Sequence, residues 1–100
     1  MLFVSGQIAL DPHTGTMVDG DVAAQTHRVL KNVAAILEAG GSSLDRVVRT
    51  TVYLADIGDF QKVNAIYGSF FTKDPPARSA LQAGALPKMA KVEIDAIAVR

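Results

Sequence analysis

The sequence predicts an α+β fold in which two helices pack on one face of a β-sheet. Apolar residues recur at helical spacing in two segments, 21–39 and 59–72. Four other segments alternate polar with apolar residues or are rich in β-branched residues, which is typical of strands. Along the chain the order is strand, helix, strand, helix, strand, strand. A two-layer sandwich buries the apolar side of each of these elements.

Length and composition limit the classes of function. The chain has 100 residues, which fits a single domain spanning 1–100, and 49% of them are hydrophobic, as in globular proteins. Ten Lys and Arg residues balance ten Asp and Glu residues, so we expect neither nucleic acid nor an anionic membrane as a partner. The lack of cysteine excludes disulfides and thiol catalysis. No apolar run approaches the ~20 residues of a membrane span, and no signal peptide is recognisable, so we expect a cytoplasmic protein.

The first predicted strand runs from Leu2 to Leu10, and Gly6 interrupts its apolar side. A glycine inside a strand indicates either a bulge or the close approach of another backbone or a ligand. Residues 11–15 have the composition of a turn. Because the chain begins inside this strand, we expect a further segment upstream.

The clearest predicted helix runs from Asp21 to Ala39. Asp19 or Asp21 can cap its start, and Gly40 with Gly41 can end it. Its apolar stripe is Val22, Val29, Leu30, Val33, Ile36 and Leu37, with Thr26 filling the gap. The stripe predicts one buried side for this helix.

A β-branched strand follows at 47–55, with Val48, Thr50, Val52 and Leu54 on one side and Arg49, Thr51 and Tyr53 on the other. The second helix is predicted from Asp59 to Thr72, with Phe60, Val63, Tyr67, Phe70 and Phe71 as its apolar stripe. Asn64 lies within that stripe. A buried asparagine needs hydrogen-bond partners, so it is either a structural cap to a neighbouring loop or a residue of a site.

The last quarter of the chain carries the residues most suited to chemistry. Two strand-like runs flank the Leu86-Pro87-Lys88 segment. In the second run, Val92, Ile94, Ala96 and Ala98 alternate with Lys91, Glu93 and Asp95. In the first run, Leu81, Ala83 and Ala85 alternate with Arg78, Ala80, Gln82 and Gly84. A polar side therefore lies opposite each apolar side, and it contains Arg78 and Glu93.

Arg78 and Glu93 together suit hydrolysis of a small carboxylic acid. An arginine binds a carboxylate through two parallel hydrogen bonds, and a glutamate can orient or deprotonate a water molecule. The alternative is an ordinary ion pair without a catalytic role. No phosphate-binding loop, dinucleotide fingerprint or paired histidines at metal spacing is present, so no other type of site competes with this pair.

The spacing of the two residues raises a geometric question. A simple hairpin turning at Pro87-Lys88 would place Glu93 opposite residue 82, about 13 Å from Arg78 along the strand. Either a bulge near Gly84 shifts the register, or the site is completed across a subunit boundary. We favour the second alternative. The other side of the sheet carries Phe3, Tyr53, Ile97 and Val99 among polar residues, and a second subunit would cover it.

Six segments carry a resemblance to a known family. They are F-V-S-G-Q-I at 3–8, D-V-A-A-Q-T at 21–26, V-V-R-T-T-V-Y-L at 47–54, D-F-Q-K-V-N at 59–64, P-A-R-S at 76–79, and L-P-K at 86–88 followed by V-E-I-D-A-I-A-V at 92–99. With these the chain resembles the reactive intermediate deaminase A (RidA, YjgF-like) family. The resemblance implies a chorismate-mutase-like sandwich on a mixed sheet and a homotrimer with a pocket at each subunit interface. It also implies hydrolysis of 2-imino or 2-enamino acids, such as 2-iminopropanoate and 2-iminobutanoate, without cofactor or metal.

The resemblance also assigns roles to individual residues. It implies that Arg78 binds the substrate carboxylate, that Glu93 positions the attacking water, and that Gly6 and Asn64 line the pocket. Many relatives have a cysteine where this chain has Ala80, so alanine suffices if only the backbone there contacts the substrate or water. The family's first strand and its Pro-Tyr-Ser segment would precede Met1. Two alternatives remain open: a small-acid-binding or regulatory trimer without turnover, and the translation-inhibiting endoribonuclease activity ascribed to some relatives, which a neutral chain supports poorly.

Overall fold

The computed structural model describes all residues, 1–100, and contains the predicted order of elements. These are β1 (Leu2–Gln7), α1 (Val22–Ala39), β2 (Val47–Leu54), α2 (Phe60–Phe70), β3 (Ala77–Gln82) and β4 (Val92–Ala98). The four strands form one sheet in the order β1-β4-β2-β3. β4 is antiparallel to both β1 and β2, whereas β2 and β3 are parallel, so the sheet is mixed as expected. Neither helix combines the length and the apolar composition needed to cross a membrane.

The core lies between the two helices and one side of the sheet, which we call the helix face. On β2 this face carries Thr50, Val52 and Leu54, which are all buried. The apolar stripe of α1 packs against it and contributes Val22, Val29, Leu30, Val33 and Leu37 to the core. The cap predicted for α1 is confirmed, because Asp21 Oδ1 accepts a hydrogen bond of 3.0 Å from the Ala24 amide. The buried Thr26 hydroxyl is satisfied by donating to the Val22 carbonyl at 2.7 Å.

The last two strands do not form the simple hairpin that the sequence allowed. β3 lies at one edge of the sheet and pairs only with β2, while β4 is inserted between β1 and β2. Because α2 carries the chain back over the sheet from the end of β2, the next strand aligns parallel to β2. Glu93 therefore lies opposite Tyr53 instead of near residue 82. Arg78 lies opposite Thr50, so the two runs do not pair with each other.

The predicted buried side of β3 is wrong. Leu81, expected to face the core with Ala83 and Ala85, is 43% exposed. As a parallel partner of Thr50 and Val52, β3 instead directs Arg78 and Ala80 toward the helix face. An edge strand has only one neighbour, and both sides of β3 remain largely exposed in the chain.

The second side of the sheet, the open face, has no helix on it. Phe3 is 71% exposed there, and Tyr53 and Ile97 are half-buried, which agrees with the apolar character predicted for this face. One prediction for β2 fails: Val48, assigned to the core side, is 43% exposed. The β2–β4 register shifts between Val47 and Arg49, and this irregularity turns Val48 outward.

Candidate active site

Arg78 reaches from β3 to three side chains of α2. Its Nη1 donates a hydrogen bond of 2.6 Å to Asn64 Oδ1. Its Cζ lies 4.7 Å from the centre of the Tyr67 ring and 5.4 Å from that of Phe60. Residues spaced by three and four share one side of a helix, so Phe60, Asn64 and Tyr67 meet the guanidinium together. The two rings attract the cation and hold its plane, and we call these four residues the Arg78 cluster.

The hydroxyl of Tyr67 anchors the Arg78 cluster to the sheet. Tyr67 is buried, and its oxygen lies 2.7 Å from the Thr50 Oγ1. Burial raises the pKa of Tyr67, while the Thr50 hydrogen bond and the Arg78 charge oppose the rise. The phenol therefore remains neutral and supports Arg78 instead of exchanging protons. The apolar pattern predicted only a core role for Tyr67 and Phe60, although their spacing from Asn64 could have indicated a shared site.

Asn64 is exposed, although its position in the apolar stripe of α2 predicted that it would be buried. Its side chain nevertheless has a partner, because its oxygen accepts from Arg78. No loop is capped by this amide. Of the two interpretations left open by the sequence, the contact with Arg78 therefore favours a residue of a site.

Glu93 lies on the open face, on β4, with its carboxylate over the backbone of Gly6. A Cβ built on Gly6 would overlap Glu93 Oε2 and would lie 2.8 Å from the carboxyl carbon. The β1–β4 register also shifts between Val4 and Gln7, so Gly6 lies in an irregular part of the strand. Both sequence interpretations of Gly6 therefore apply: the strand is irregular there, and another group approaches its backbone closely.

Two further residues stand beside Glu93 on the open face. Asp95 Oδ1 accepts from the Thr51 amide at 3.1 Å, and Asp95 Oδ2 accepts from the Tyr53 hydroxyl at 3.3 Å. The negative charge of Asp95, more than burial, raises the pKa of Tyr53, so this phenol also remains neutral. Glu93, Gly6, Tyr53 and Asp95 form what we call the Glu93 cluster. The sequence alone could not group Tyr53 with Asp95, because that contact depends on the β2–β4 register.

The Arg78 and Glu93 clusters do not meet within one chain. Arg78 projects from the helix face, whereas Glu93 projects from the open face, and β2 separates their strands. Two strand spacings correspond to about 10 Å across the sheet. The ordinary ion pair considered for these residues is therefore excluded within the chain. A bulge near Gly84 cannot align them either, because β3 and β4 are not neighbours. A site shared between copies stays a prediction.

Ala80 lies two residues beyond Arg78 on the same side of β3. It is exposed, and its side chain lines a cavity of about 580 Å³ beside the start of α2. The other residues that line this cavity are Ile57, Gly58, Phe60 and Gln61. Ala80 therefore adjoins the Arg78 cluster, but it lies far from the Glu93 cluster of the same chain.

A family model and curated relatives match nearly the whole chain. A family model described as endoribonuclease L-PSP matches residues 1–100. The chain is 57% identical over 99 residues to protein DfrA of Myxococcus xanthus, and the match covers 99% of this chain and 76% of that protein. It is 48% identical over 99 residues to human 2-iminobutanoate/2-iminopropanoate deaminase, with coverage of 99% and 72%.

A solved structure extends this similarity to three dimensions. RidA from an Antarctic Psychrobacter superposes with a TM-score of 0.94 at 40% identity, covering 98% of this chain and 79% of that one. The agreement extends over both helices and the mixed sheet. The chorismate-mutase-like α+β fold predicted from the sequence is therefore confirmed.

Proposed function

Since the chain belongs to the RidA (YjgF-like) family, we propose that it hydrolyses 2-imino and 2-enamino acids to 2-keto acids and ammonia. The name of the human relative supports this reaction. The Arg78 cluster supports it independently, because it presents an oriented and exposed guanidinium. Such a group suits a small carboxylate that must be held in one position.

In the proposed mechanism, Arg78 binds the substrate carboxylate with the N–H groups that Asn64 does not use. Glu93 accepts a proton from a water molecule while the water oxygen attacks the imine carbon. The proton is then delivered to the nitrogen, which gives a carbinolamine. Transfer of the hydroxyl proton to the same nitrogen lets the carbon–nitrogen bond break, and ammonia leaves as the carbonyl group forms. A 2-enamino acid first takes a proton at C3 and loses one from nitrogen, which gives the imine. Each step uses only water and protons.

The observation that carries this proposal is the separation of the two clusters on opposite faces of one sheet. Each cluster alone lacks half of the required chemistry, so a productive site needs Arg78 of one copy beside Glu93 of another. The open face supports such an association, because Phe3 and Val99 remain 71% and 41% exposed on the chain. We propose a homotrimer, in which each of three equivalent interfaces combines one Arg78 cluster with one Glu93 cluster.

Mixing two defective variants tests the shared site. Arg78→Lys and Glu93→Gln are each expected to be nearly inactive as pure trimers. Co-expressed in equal amounts, they should recover about a quarter of wild-type activity, because one interface in four pairs an intact arginine with an intact glutamate. A dehydratase generates 2-aminoacrylate for the assay, and pyruvate formation is followed with and without the protein.

The outcomes separate the alternatives. Light scattering must show that the mixed particles contain three chains; a monomer at micromolar concentration would exclude the shared site. A mixed trimer without recovered activity would contradict it as well. If the wild-type trimer binds 2-oxobutanoate but does not accelerate pyruvate formation, the protein is an acid-binding trimer without turnover. Cleavage of RNA by the wild type, lost in Arg78→Lys, would favour the endoribonuclease alternative.

A further inference from the structure

The cavity beside Ala80 has the walls of a binding groove for an apolar group. It measures about 580 Å³, within the roughly 300–1,000 Å³ range of small-molecule pockets. Ile57, Phe60 and Ala80 supply apolar side chains. Ile57 is 50% exposed, because no other part of the chain covers it. We call this cavity, with Gly58 and Gln61 completing its lining, the side-chain groove.

The side-chain groove and the Arg78 cluster share a wall. The Phe60 ring lines the groove, and its centre is 5.4 Å from the Arg78 Cζ. Ala80 is on the same side of β3 as Arg78, about 7 Å further along the strand. A small acid held by Arg78 through its carboxylate therefore has its next carbons within reach of the groove.

The wall formed by Ile57 is fixed to the sheet. The Ile57 amide donates a hydrogen bond of 2.8 Å to Gln82 Oε1, which ties the turn before α2 to the end of β3. The groove therefore spans two elements that this hydrogen bond connects. Ala80 lines the groove with a single methyl group, which leaves space that a larger side chain would occupy.

A second cavity lies on the other side of Arg78 and is the less suitable one. It measures about 380 Å³ and is lined by Asn64, Tyr67, Gly68, Phe71, Pro75, Pro76 and Arg78. An apolar group placed there would remove water from the hydrogen-bonded Arg78–Asn64 pair, which is unfavourable. The side-chain groove imposes no such penalty, because neither Arg78 nor Asn64 lines it.

We propose that the side-chain groove binds the apolar side chain of the substrate acid. The protein would then prefer 2-imino acids with branched aliphatic or aromatic side chains over 2-iminopropanoate. This inference rests on the proposed binding of the substrate carboxylate by Arg78. The size of the groove and the small side chain of Ala80 set the preference.

Binding of stable 2-keto acids tests the inference without turnover. Calorimetry would give the Kd of pyruvate and of 4-methyl-2-oxopentanoate for the wild-type trimer. We expect the longer acid to bind at least about tenfold more tightly, as is usual when an apolar pocket receives additional methylene groups. Ala80→Leu should abolish this ratio by filling the groove. Ile57→Ala, a change at an exposed side chain, should reduce the ratio if Ala80→Leu does not fold.

Ala65→Leu is the matched control, since it adds the same atoms at an exposed position of α2 outside both cavities. It should keep the wild-type ratio. Equal Kd values for the two acids in the wild type would overturn the inference, as would a ratio that survives in both Ala80→Leu and Ile57→Ala. The proposed deamination fails separately: a clear ratio with no imine hydrolysis leaves the groove in place and removes the catalysis. Equal Kd values together with imine hydrolysis at the same rate for every side chain would remove the groove and leave the proposed deamination in place.

Discussion

The Arg78 cluster and the Glu93 cluster are held in place by different means. Arg78 contacts side chains of α2, with one hydrogen bond to Asn64 and the centres of two aromatic rings within 5.4 Å of its Cζ. Glu93 rests on the bare backbone of Gly6 in an irregular part of β1. The difference suits two tasks. A cation that binds a carboxylate gains from a fixed orientation, whereas a carboxylate that accepts a proton needs a position but must keep an oxygen free.

The largest effect is expected from Arg78→Lys. Lysine keeps the charge but replaces the planar two-point contact with a single ammonium group, and it loses the stacking on Phe60 and Tyr67. We expect kcat/KM for pyruvate formation from 2-aminoacrylate to fall about a thousandfold, since both binding and orientation are lost. The fold and the trimer should persist, because Arg78 is exposed.

Arg46→Lys is the control for this change, since Arg46 is exposed in the turn before β2, outside both clusters. It should leave kcat/KM within about twofold, as exposed substitutions usually do. Near-normal imine hydrolysis by folded, trimeric Arg78→Lys would end the catalytic interpretation of the Arg78 cluster.

A smaller and more selective effect is expected from Glu93→Gln. Glutamine is similar in size and can still hydrogen-bond, but it is a poor base. We expect kcat to fall about a hundredfold, while the Kd of 2-oxobutanoate changes less than about threefold, because the lost interaction acts in the transition state. Steady-state kinetics and calorimetry on the same preparation would give both values. If Kd weakens as much as kcat falls, Glu93 contributes to binding and the proposed division between the clusters is wrong.

The sequence predicted the parts of the fold that depend on local patterns. The Asp21 cap and the buried side of α1 follow from residues within one helix, and both are confirmed except at Ile36, which is 38% exposed. Strand order does not follow from local patterns: β4 enters between β1 and β2, whereas the sequence was equally compatible with a hairpin of β3 and β4. The alternation of Leu81 with Arg78 correctly placed them on opposite sides of β3. Hydrophobicity, however, predicted that Leu81 would face the core, whereas Arg78 lies on the helix face. At an exposed edge strand, burial does not decide which side carries the apolar residues.

The same limit applies to the candidate site. The alternation of residues placed Glu93 on the polar side of β4, and the structure bears this out. It could not show that Arg78 projects to the other face of the sheet, since that depends on its pairing with Thr50. Likewise, no sequence spacing connects Asp95 with Tyr53. The contacts that a sequence misses here are those between residues on different strands, where register decides.

The smallest expected effect comes from Gly6→Ala, which disturbs only the Glu93 cluster. The new methyl group would overlap Glu93 Oε2, the end of a flexible side chain, so the carboxylate should move and the backbone should remain. We expect kcat to fall about tenfold through this displacement, with the free energy of unfolding lowered by less than ~1 kcal/mol. Gly84→Ala is the control, because a Cβ at Gly84 meets nothing within 4 Å. It should leave both quantities unchanged within error.

Gly6→Ala distinguishes the two clusters, because it leaves every contact of Arg78 intact within the chain. If the clusters act separately, the variant should bind 2-oxobutanoate like the wild type and lose only turnover. Thermal denaturation monitored by circular dichroism would show whether the fold is preserved, and calorimetry would show whether the acid still binds. Wild-type kcat in a folded Gly6→Ala trimer would mean that catalysis does not depend on where Glu93 rests. A parallel loss of binding and kcat would mean that Gly6 itself contacts the acid, so that the open face also takes part in holding the substrate.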